Sequence, residues 1–218
     1  DKKKVVNVFD LKFFGKEKLE KTITIPVVIM AGGKGTRLQP STHILPKPLI
    51  PMKGKAIIEH IISEFKSYGA ANYFISLNYK SQLIKAFFSE LKLNCKINYL
   101  NEKKPLGTAG CLKLLQNKKL DNFFVINCDT IIKTNLNEFL KFHKMNKNDI
   151  SVIGAINKVE IPYGVCEIGK NQKLKNIDEK PKINFLTNTG CYLVNKKVLK
   201  LIPKNKYFDF TDLITLAI

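Results

Sequence analysis

The sequence predicts an α/β fold in which a mixed, mostly parallel sheet is flanked by helices. Short apolar runs of strand length alternate along the chain with longer segments that repeat apolar residues at helical spacing. The run VVIM at 27–30 is continuous and rich in β-branched residues, which is typical of a strand buried on both faces. Because such strands alternate with helical segments, the pattern indicates βαβ units and therefore a parallel sheet.

Each predicted element is marked by its own periodicity and end signals. In the segment 55–69, apolar residues recur at helical spacing and Gly69 ends the helix. Ser81 is the predicted N-cap of the next helix. The segment 163–181 predicts a hairpin that turns at Asn171 and Gln172, followed by a strand and a short helix. Strands are predicted at 27–30, 72–78, 96–101, 122–127, 150–156 and 189–194, and helices at 55–69, 81–91, 108–117 and 136–146.

The composition is that of an ordinary globular protein, with 218 residues of which 44% are hydrophobic and 25% charged. No apolar run approaches the roughly 20 residues of a membrane span. Five cysteines without a CxxC pair argue against a disulfide framework and a structural zinc site. The net charge of +19 comes from lysines scattered along the chain and not interleaved with aromatic residues. We therefore expect a cytoplasmic protein that binds neither nucleic acid nor membrane, and homo-oligomerisation stays open.

Three loops are expected to share one crevice, because ligands of open α/β sheets bind beyond the carboxyl ends of the strands. These loops follow the strands that end in VVIM, NYLN and FFVIN. The first, AGGKGTRL at 31–38, is glycine-rich, and its backbone N–H groups can form an anion-binding nest. It is neither a Walker A loop nor a GxGxxG fingerprint, and a mere tight turn is the alternative interpretation.

The glycine-rich loop holds the only arginine of the chain, Arg37, among 36 lysines. A guanidinium group can hold two phosphate oxygens at once, which an ammonium group cannot, so Arg37 is predicted to bind phosphate. Lys47 lies between prolines in LPKPLIP, and these restrict the backbone so that its charge is held in position. An incidental surface arginine and an ordinary proline-rich loop are the respective alternatives.

Asp129 follows the strand FFVIN and carries a carboxylate at the carboxyl end of that strand. Mg²⁺ prefers one or two carboxylates together with phosphate oxygens, so Asp129 is a candidate magnesium ligand. Its position alone is equally compatible with a helix N-cap.

The stretch MAGGKGTRLQPSTHILPKPLIPMKGKAIIEHII at 30–62 resembles the signature of the sugar-1-phosphate nucleotidyltransferases, or NDP-sugar pyrophosphorylases. The similarity continues through EKKPLGTAG, NCDT, YGV, EKP, NTGCY and FDFTDLI, and it covers about residues 25–214. Enzymes of this family join a nucleoside triphosphate to a sugar 1-phosphate and release pyrophosphate. The resemblance implies the Rossmann-like fold of the nucleotide-diphospho-sugar transferases, Mg²⁺ as cofactor, and these two substrates as partners.

The resemblance also implies roles for individual residues. Arg37 would grip the triphosphate, Lys47 would neutralise the reacting phosphates, Asp129 would hold Mg²⁺, and Lys180 would orient the attacking sugar phosphate. The implied nucleotide-binding residues are Ala31, Gly32, Gly33, Gly35, Thr36, Arg37, Lys47, Glu102, Leu106 and Gly107. The implied sugar-phosphate-binding residues are Asn127, Gly164, Glu179, Lys180 and Asn188.

Glu102 gives an indication of the base. A carboxylate can accept hydrogen bonds from both N1–H and the amino group of guanine, whereas uracil and thymine offer one N–H donor. The motif ExxPLGTAG also resembles the guanylyltransferase branch. GTP with glucosamine 1-phosphate is therefore the expected substrate pair. Thymidylyl- or uridylyltransfer to glucose 1-phosphate, mannose-1-phosphate guanylyltransfer and a solvent-facing Glu102 are alternatives, and a non-catalytic nucleotide-sugar sensor is the rival from another class.

Three features depart from the family pattern. Cys128 stands where the family usually has glycine. A second metal-binding aspartate, in a W-x-D-x-G-T context, is missing, and Asp209 and Asp212 are predicted on a surface helix start as poor substitutes. Residues 1–22 are predicted to be a linker or the remnant of an upstream CBS-type region, as in guanylyltransferases of legionaminic acid synthesis. Residues 23–218 would then form the nucleotidyltransferase domain, truncated at its C-terminal side.

Overall fold

The computed structural model describes residues 8–9 and 21–218, except for the side chains of Arg37, Val8 and Phe9. Most of the predicted linker at 1–22 thus lies outside the described residues. The helices are α1 (Ser41–Ile44), α2 (Ile57–Ser67), α3 (Ser81–Glu90), α4 (Gly107–Gly110), α5 (Leu136–Met145) and α6 (Phe210–Ala217). The strands are β1 (Val8–Phe9), β2 (Val27–Met30), β3 (Pro51–Met52), β4 (Lys55–Ala56), β5 (Asn72–Leu77), β6 (Lys96–Asn101), β7 (Asn122–Asn127), β8 (Ile150–Glu160), β9 (Gly164–Ile168), β10 (Leu174–Glu179) and β11 (Lys182–Asn195).

Seven of the strands form one sheet in the order β1-β8-β11-β7-β2-β5-β6. The four strands β7, β2, β5 and β6 are parallel to their neighbours within this group. Strand β11 runs antiparallel to both of its neighbours, β7 and β8, while β1 pairs in parallel with β8. The predicted mixed, mostly parallel sheet flanked by helices is confirmed.

Strand β2 lies inside the sheet, between β7 and β5, and is buried along its whole length. Its side chains alternate between the two faces, as strand geometry requires. Val27 and Ile29 pack in the apolar cluster that contains residues of α2, α3 and α5. Val28 and Met30 pack in a second cluster that contains residues of α6 and of the 3₁₀ helix Cys111–Leu115. Helices cover both faces of the sheet, so the polar loop that follows β2 reaches the surface at the carboxyl end of the strand.

Several predicted boundaries needed correction. Ser81 is the first residue of α3 and the N-cap position is occupied by Lys80, which adopts a left-handed conformation with φ 48°. The predicted helix at 108–117 divides into α4 and the 3₁₀ helix Cys111–Leu115. Strands β8 and β11 extend well beyond the predicted segments and pair with each other outside the core of the sheet.

The predicted hairpin is confirmed as the antiparallel pair β9 and β10. Asn171 and Gln172 both have positive φ angles, 56° and 58°, at its turn. In the described part of the chain, no helix is both long and apolar enough to cross a membrane.

Candidate active site

A cavity of about 480 Å³ opens at the carboxyl ends of β2, β6 and β7. It is lined by the three loops that the sequence predicted to converge, so this prediction is confirmed. The glycine-rich loop after β2 forms one wall, the loop between β6 and α4 forms the second, and the loop after β7 forms the floor. The lining residues among the predicted ones are Gly32, Gly33, Gly35, Lys47, Glu102, Leu106, Gly107, Asn127 and Asp129.

The glycines of the first loop differ in what surrounds them, and Gly35 is the one whose backbone conformation and contacts both favour glycine. Gly35 has a φ of 66°, and a Cβ atom placed on it would lie 2.9 Å from Thr42 Cγ2 and 3.1 Å from Lys47 Cβ. A Cβ atom on Gly32 would lie 2.6 Å from Glu102 Oε1. Gly33 meets nothing within 4 Å at that position, which leaves open space beside the loop. The backbone can therefore approach a ligand closely here, as an anion-binding loop must.

The loop between β5 and α3 fixes the glycine-rich loop from outside the cavity. Tyr79 N–H donates to the Gly32 carbonyl at 3.4 Å, and the Tyr79 hydroxyl donates to the Thr42 carbonyl at 3.4 Å. The Lys80 ammonium group donates to the carbonyl groups of His43 and Ile44, the last residues of α1. A cation at these unpaired carbonyls is favourable because they carry the negative end of the helix.

Lys47 and Asp129 form an ion pair on the floor of the cavity. Both side chains remain accessible, with 23% and 40% of their surfaces exposed. Lys47 begins the 3₁₀ helix Lys47–Leu49, in which Pro48 and Leu49 are buried and anchor the turn. Asp129 follows β7 directly, next to Cys128. The ammonium and carboxylate groups are thus presented together at the point where three strands end.

The donor set around Asp129 suits Mg²⁺ that is held mainly by a ligand's own oxygens. The described residues contain no cluster of three or more carboxylate, histidine or cysteine side chains. Mg²⁺ usually needs only one or two carboxylates when phosphate oxygens and waters complete its octahedral shell. The exposed Asp129 carboxylate meets this requirement, since it faces a cavity with a glycine-rich anion loop on its wall.

Cys128 lies buried between Asp129 and the floor of the cavity. Burial raises the pKa of its thiol to about 12, and the nearby Asp129 carboxylate adds to this effect. The thiol therefore stays protonated and neutral at physiological pH, so Cys128 acts here as a small apolar residue and not as a nucleophile.

Glu102 is half-buried at the wall of the cavity, and its carboxylate is held by the loop that precedes α4. Its Oε2 atom accepts a hydrogen bond from Leu106 N–H at 3.0 Å. Burial raises the pKa of the Glu102 carboxyl above its usual range, although hydrogen bonds from Leu106 N–H and the Ser76 hydroxyl oppose the shift. A carboxylate has about four acceptor sites, so Glu102 retains capacity for a ligand.

A second cavity, of about 330 Å³, adjoins the first. Thr108, Asn127 and Asp209 line both cavities and form the boundary between them. Asn188 lines the second cavity, where its Nδ2 group donates to the Tyr192 hydroxyl at 2.7 Å. Gly190 is held close to Asn127, because a Cβ atom on it would lie 2.3 Å from Asn127 Nδ2. Of the predicted sugar-phosphate residues, Asn127 and Asn188 are thus brought to this boundary.

The other predicted sugar-phosphate residues lie on the β9–β10 hairpin. Gly164 and Glu179 are paired across the two strands, and a Cβ atom on Gly164 would lie 2.9 Å from Glu179 Oε2. Lys180 follows with a φ of 51°, and its N–H donates to the Tyr163 carbonyl at 3.3 Å. These side chains are exposed and line neither cavity. The structure groups the three residues with one another but not with Asp129.

Three predicted nucleotide residues are placed differently from the rest of their set. Ala31 is buried, and its N–H donates to Ser76 Oγ at 3.1 Å, so its side chain does not line the cavity. Thr36 is exposed at the start of the 3₁₀ helix Thr36–Leu38. Arg37 is in the same turn, and its side chain lies outside the described part of the structure.

The predicted site residues do not include several that line the cavity, among them the polar residues Lys34, Ser76, Thr108, Tyr207 and Asp209. Ser76 is a polar residue near the end of the apolar run of β5, beside Met30 of β2, and this position was a usable signal. The assignment of Asp209 to a surface helix start is corrected: Asp209 precedes α6 but is half-buried and lines both cavities. Asp212, in contrast, is exposed and its Oδ2 accepts from Asp209 N–H at 3.4 Å.

Comparison with known proteins supports a single family. The family described as Nucleotidyl transferase matches residues 26–217. Mannose-1-phosphate guanylyltransferase 1 of Arabidopsis thaliana is 38% identical over 186 residues, which are 80% of this chain and 51% of that protein. The bifunctional protein GlmU of Methanococcus maripaludis strain C5 is 35% identical over 196 residues, which are 85% of this chain and 45% of that protein.

A solved structure agrees with this grouping. HddC from Yersinia pseudotuberculosis, complexed with GMP-PN, superposes with a TM-score of 0.65 at 28% identity and covers 86% of this chain and 83% of that one. The chain spans about half the length of the curated relatives named above. Since the family match extends over nearly the whole described region, including all three loops of the cavity, the chain belongs to the nucleotidyl transferase family.

Proposed function

We propose that this chain transfers a nucleoside monophosphate from a nucleoside triphosphate to a sugar 1-phosphate, giving an NDP-sugar and pyrophosphate. One observation carries the proposal above all: the glycine-rich loop, the Lys47–Asp129 pair and Glu102 line the same cavity. A triphosphate needs donors and cations, and a base needs a polar edge, and this cavity is lined by both kinds of group.

In the proposed reaction, an oxygen of the sugar phosphate attacks the α-phosphorus of the triphosphate. The bond from that phosphorus to the bridging oxygen of the β-phosphate breaks, and pyrophosphate leaves with the electron pair. Such transfers depend on positioning and charge neutralisation more than on covalent help. Lys47 would neutralise charge on the phosphates, and the loop amides of Gly33 and Gly35 would bind their oxygens. Mg²⁺ held by Asp129 would supply further charge stabilisation.

Two further roles in the proposed reaction, those of Arg37 and Lys180, are based on the family resemblance. Arg37 would hold the departing pyrophosphate through two parallel hydrogen bonds, for which its planar group is suited. Lys180 would orient the sugar phosphate. Lys180 is on the β9–β10 hairpin, outside both cavities, so this role requires that the hairpin contributes to the site when the sugar phosphate binds.

We propose guanine as the base. Glu102 lines the same cavity as the Lys47–Asp129 pair, and its free acceptor sites match the two donors of guanine. The guanylyltransferase relative from Arabidopsis thaliana and the GMP-PN complex of HddC support this choice. UTP or dTTP with glucose 1-phosphate is the second candidate, because both uracil and thymine could still use one acceptor.

For the sugar, we propose an amino-hexose 1-phosphate, specifically glucosamine 1-phosphate, with mannose 1-phosphate as the alternative. Asn188 beside the boundary of the cavities, with Gly164 and Glu179 on the hairpin, would bind its hydroxyl groups. We also propose that the enzyme acts in legionaminic acid synthesis and that a CBS-type region lies upstream of the nucleotidyltransferase domain. A non-catalytic sensor is disfavoured because Arg37, Lys47, Asp129 and Lys180 are all retained.

The test is pyrophosphate release by the purified chain with GTP, UTP, dTTP and ATP, each paired with glucosamine, mannose and glucose 1-phosphates. We expect the highest kcat/KM with GTP and glucosamine 1-phosphate, and dependence on Mg²⁺. Asp129→Asn is the matched variant and should release pyrophosphate more slowly at limiting Mg²⁺, since it keeps the size of the side chain and removes its charge. Binding of GTP without any pyrophosphate release would favour the sensor, and faster release with UTP or dTTP would refute the guanine assignment.

A further inference from the structure

The segment at 206–209 is docked on the loop that begins α4, more than 90 residues earlier in the chain. Phe208 N–H donates to the Leu106 carbonyl at 2.9 Å, and the Phe208 carbonyl accepts from Ala109 and Gly110 N–H groups at 2.9 and 3.0 Å. The approach is close enough to require glycine. A Cβ atom on Gly107 would lie 2.6 Å from the Phe208 carbonyl oxygen. The 206–209 segment therefore forms a further wall of the cavity, and this wall is fixed to the loop between β6 and α4.

Asp209 is the polar centre of this contact. Its Oδ1 atom accepts from both the N–H and the hydroxyl of Thr108, each at 3.2 Å. Its Oδ2 atom accepts from the Tyr207 hydroxyl at 3.1 Å. The Thr108 hydroxyl in turn accepts from Phe210 N–H at 2.8 Å. Because each carboxylate oxygen accepts from one of these residues, Asp209 orients both Thr108 and Tyr207.

The hydrogen bond to Asp209 uses the proton of the Tyr207 hydroxyl, so its oxygen faces a ligand as an acceptor. Its proton is directed at Asp209, and both this hydrogen bond and the Asp209 charge raise the pKa of the phenol, so the phenol stays protonated. While its proton is bonded to Asp209, the phenol oxygen is available to a ligand only as an acceptor. Tyr207 lines the first cavity and not the second, and 64% of its surface is exposed, so a nucleotide in that cavity can reach it.

A hydrogen-bond acceptor at Tyr207 can bind only those parts of a nucleotide that carry a donor. Phosphate oxygens bring no proton, so they do not match the phenol oxygen. The donors of the base edge are assigned to Glu102 by the proposed function, on which this step rests. The remaining donors of a nucleoside triphosphate are the ribose hydroxyl groups. We propose that Tyr207, positioned by Asp209, accepts a hydrogen bond from the ribose 2′-hydroxyl and makes the site prefer ribonucleotides to 2′-deoxyribonucleotides.

The test compares GTP with 2′-deoxy-GTP, by calorimetric binding and by kcat/KM with a sugar 1-phosphate. We expect the wild type to favour GTP about three- to tenfold, the value of one neutral hydrogen bond. Tyr207→Phe, which removes only the oxygen, should bring the ratio close to one through weaker GTP binding. Asp209→Asn should lower the ratio as well, because its amide group would donate to the phenol oxygen and occupy the acceptor. Tyr99→Phe, on β6 outside the cavity, is the matched control.

The outcomes separate this inference from the proposed function. Binding ratios are measured without the sugar phosphate, so a wild type that binds GTP but releases no pyrophosphate refutes the proposed function alone. A wild type without preference for GTP over 2′-deoxy-GTP overturns the inference, as does a Tyr207→Phe variant that keeps the full preference. If GTP does not bind, the same comparison is made with UTP and 2′-deoxy-UTP. A loss of the ratio in Tyr99→Phe as well would also overturn the specific role of Tyr207.

Discussion

The ammonium group of Lys47 and the carboxylate of Asp129 are paired although 82 positions separate them in the chain. Each residue is presented by a separate loop, and the pair forms only because β2 and β7 are adjacent parallel strands. Partly exposed ion pairs contribute little to stability, typically up to about 1 kcal/mol. The pair therefore adds little to the stability of the fold, and both side chains remain accessible from the cavity.

Asp129→Asn is expected to change the response to metal. The amide retains an oxygen but loses the charge that attracts Mg²⁺. We expect the Mg²⁺ concentration needed for half-maximal activity to rise at least tenfold, and the melting temperature to change little. A titration of activity against Mg²⁺ measures this. An unchanged metal profile would move the metal ligand elsewhere in the site.

Arg37→Lys keeps the charge of the glycine-rich loop and removes the planar fork. If Arg37 binds two phosphate oxygens at once, kcat/KM should fall at least tenfold, which corresponds to about 1.4 kcal/mol of transition-state stabilisation. Lys34→Arg is a useful companion, because it adds a planar fork to the same glycine-rich loop, at a residue that lines the cavity. Equal activity of Arg37→Lys and the wild type would contradict the bidentate role.

The sheet and its crevice could be predicted because strand periodicity and loop chemistry are local properties. The buried run VVIM and the glycines after it are readable without knowledge of the rest of the fold. The rule that ligands bind at the carboxyl ends of parallel strands then brought Lys47, Glu102 and Asp129 together correctly.

Tyr207 and Asp209 could not be predicted because their roles depend on a distant contact. Nothing in the stretch KYFDF at 206–210 shows that it docks on α4, and helix-start signals favoured a surface position for Asp209. The division of the predicted helix at 108–117 has a related cause. Gly107 has a φ of 77°, and Gly107 and Gly110 both accommodate the backbone of the 206–209 segment, so tertiary packing decides the local geometry.

Glu102→Gln is expected to reverse the base preference. The amide keeps one acceptor oxygen but replaces the other with a donor, which opposes the guanine amino group. The ratio of kcat/KM for GTP to that for UTP should fall at least tenfold. Because burial raises the pKa of Glu102, wild-type KM for GTP should also rise on acidification, at a higher pH than an ordinary glutamate would require, since the protonated carboxyl accepts fewer bonds. If Glu102→Gln kept both the wild-type GTP-to-UTP ratio and the wild-type pH dependence of KM, Glu102 would have no role in base recognition.

Lys80→Met tests the contact that holds the glycine-rich loop from outside. Methionine keeps the apolar stem but cannot donate to the carbonyl groups of His43 and Ile44. With that end of the loop released, KM for the triphosphate should rise about three- to tenfold, while the fold remains intact. Lys85→Met, on the same helix but over the Tyr99 ring, is the matched control. Equal KM values in the two variants would show that the contact does not position the loop.

His143 predicts a pH dependence of stability that is independent of the active site. It is only 2% exposed, and its ring nitrogens contact Ser151 Oγ at 2.8 Å and Asn122 Oδ1 at 3.2 Å. Burial lowers the pKa of His143 to about 4, with Asp149 opposing and Lys144 reinforcing the shift.

The sign of the effect follows from this depressed pKa. The unfolded chain binds a proton on this histidine near pH 6.5 and the folded chain does not until about pH 4. The contribution of the neutral ring is therefore complete above pH 6.5 and is lost as the pH falls toward 4, at up to about 1.4 kcal/mol per pH unit. Urea denaturation between pH 7.5 and 4.5 should show this loss in the wild type and in the exposed-histidine control His43→Gln. His143→Gln, which cannot be protonated, should flatten that slope, and a slope equal to that of the wild type would assign the acid sensitivity to other groups.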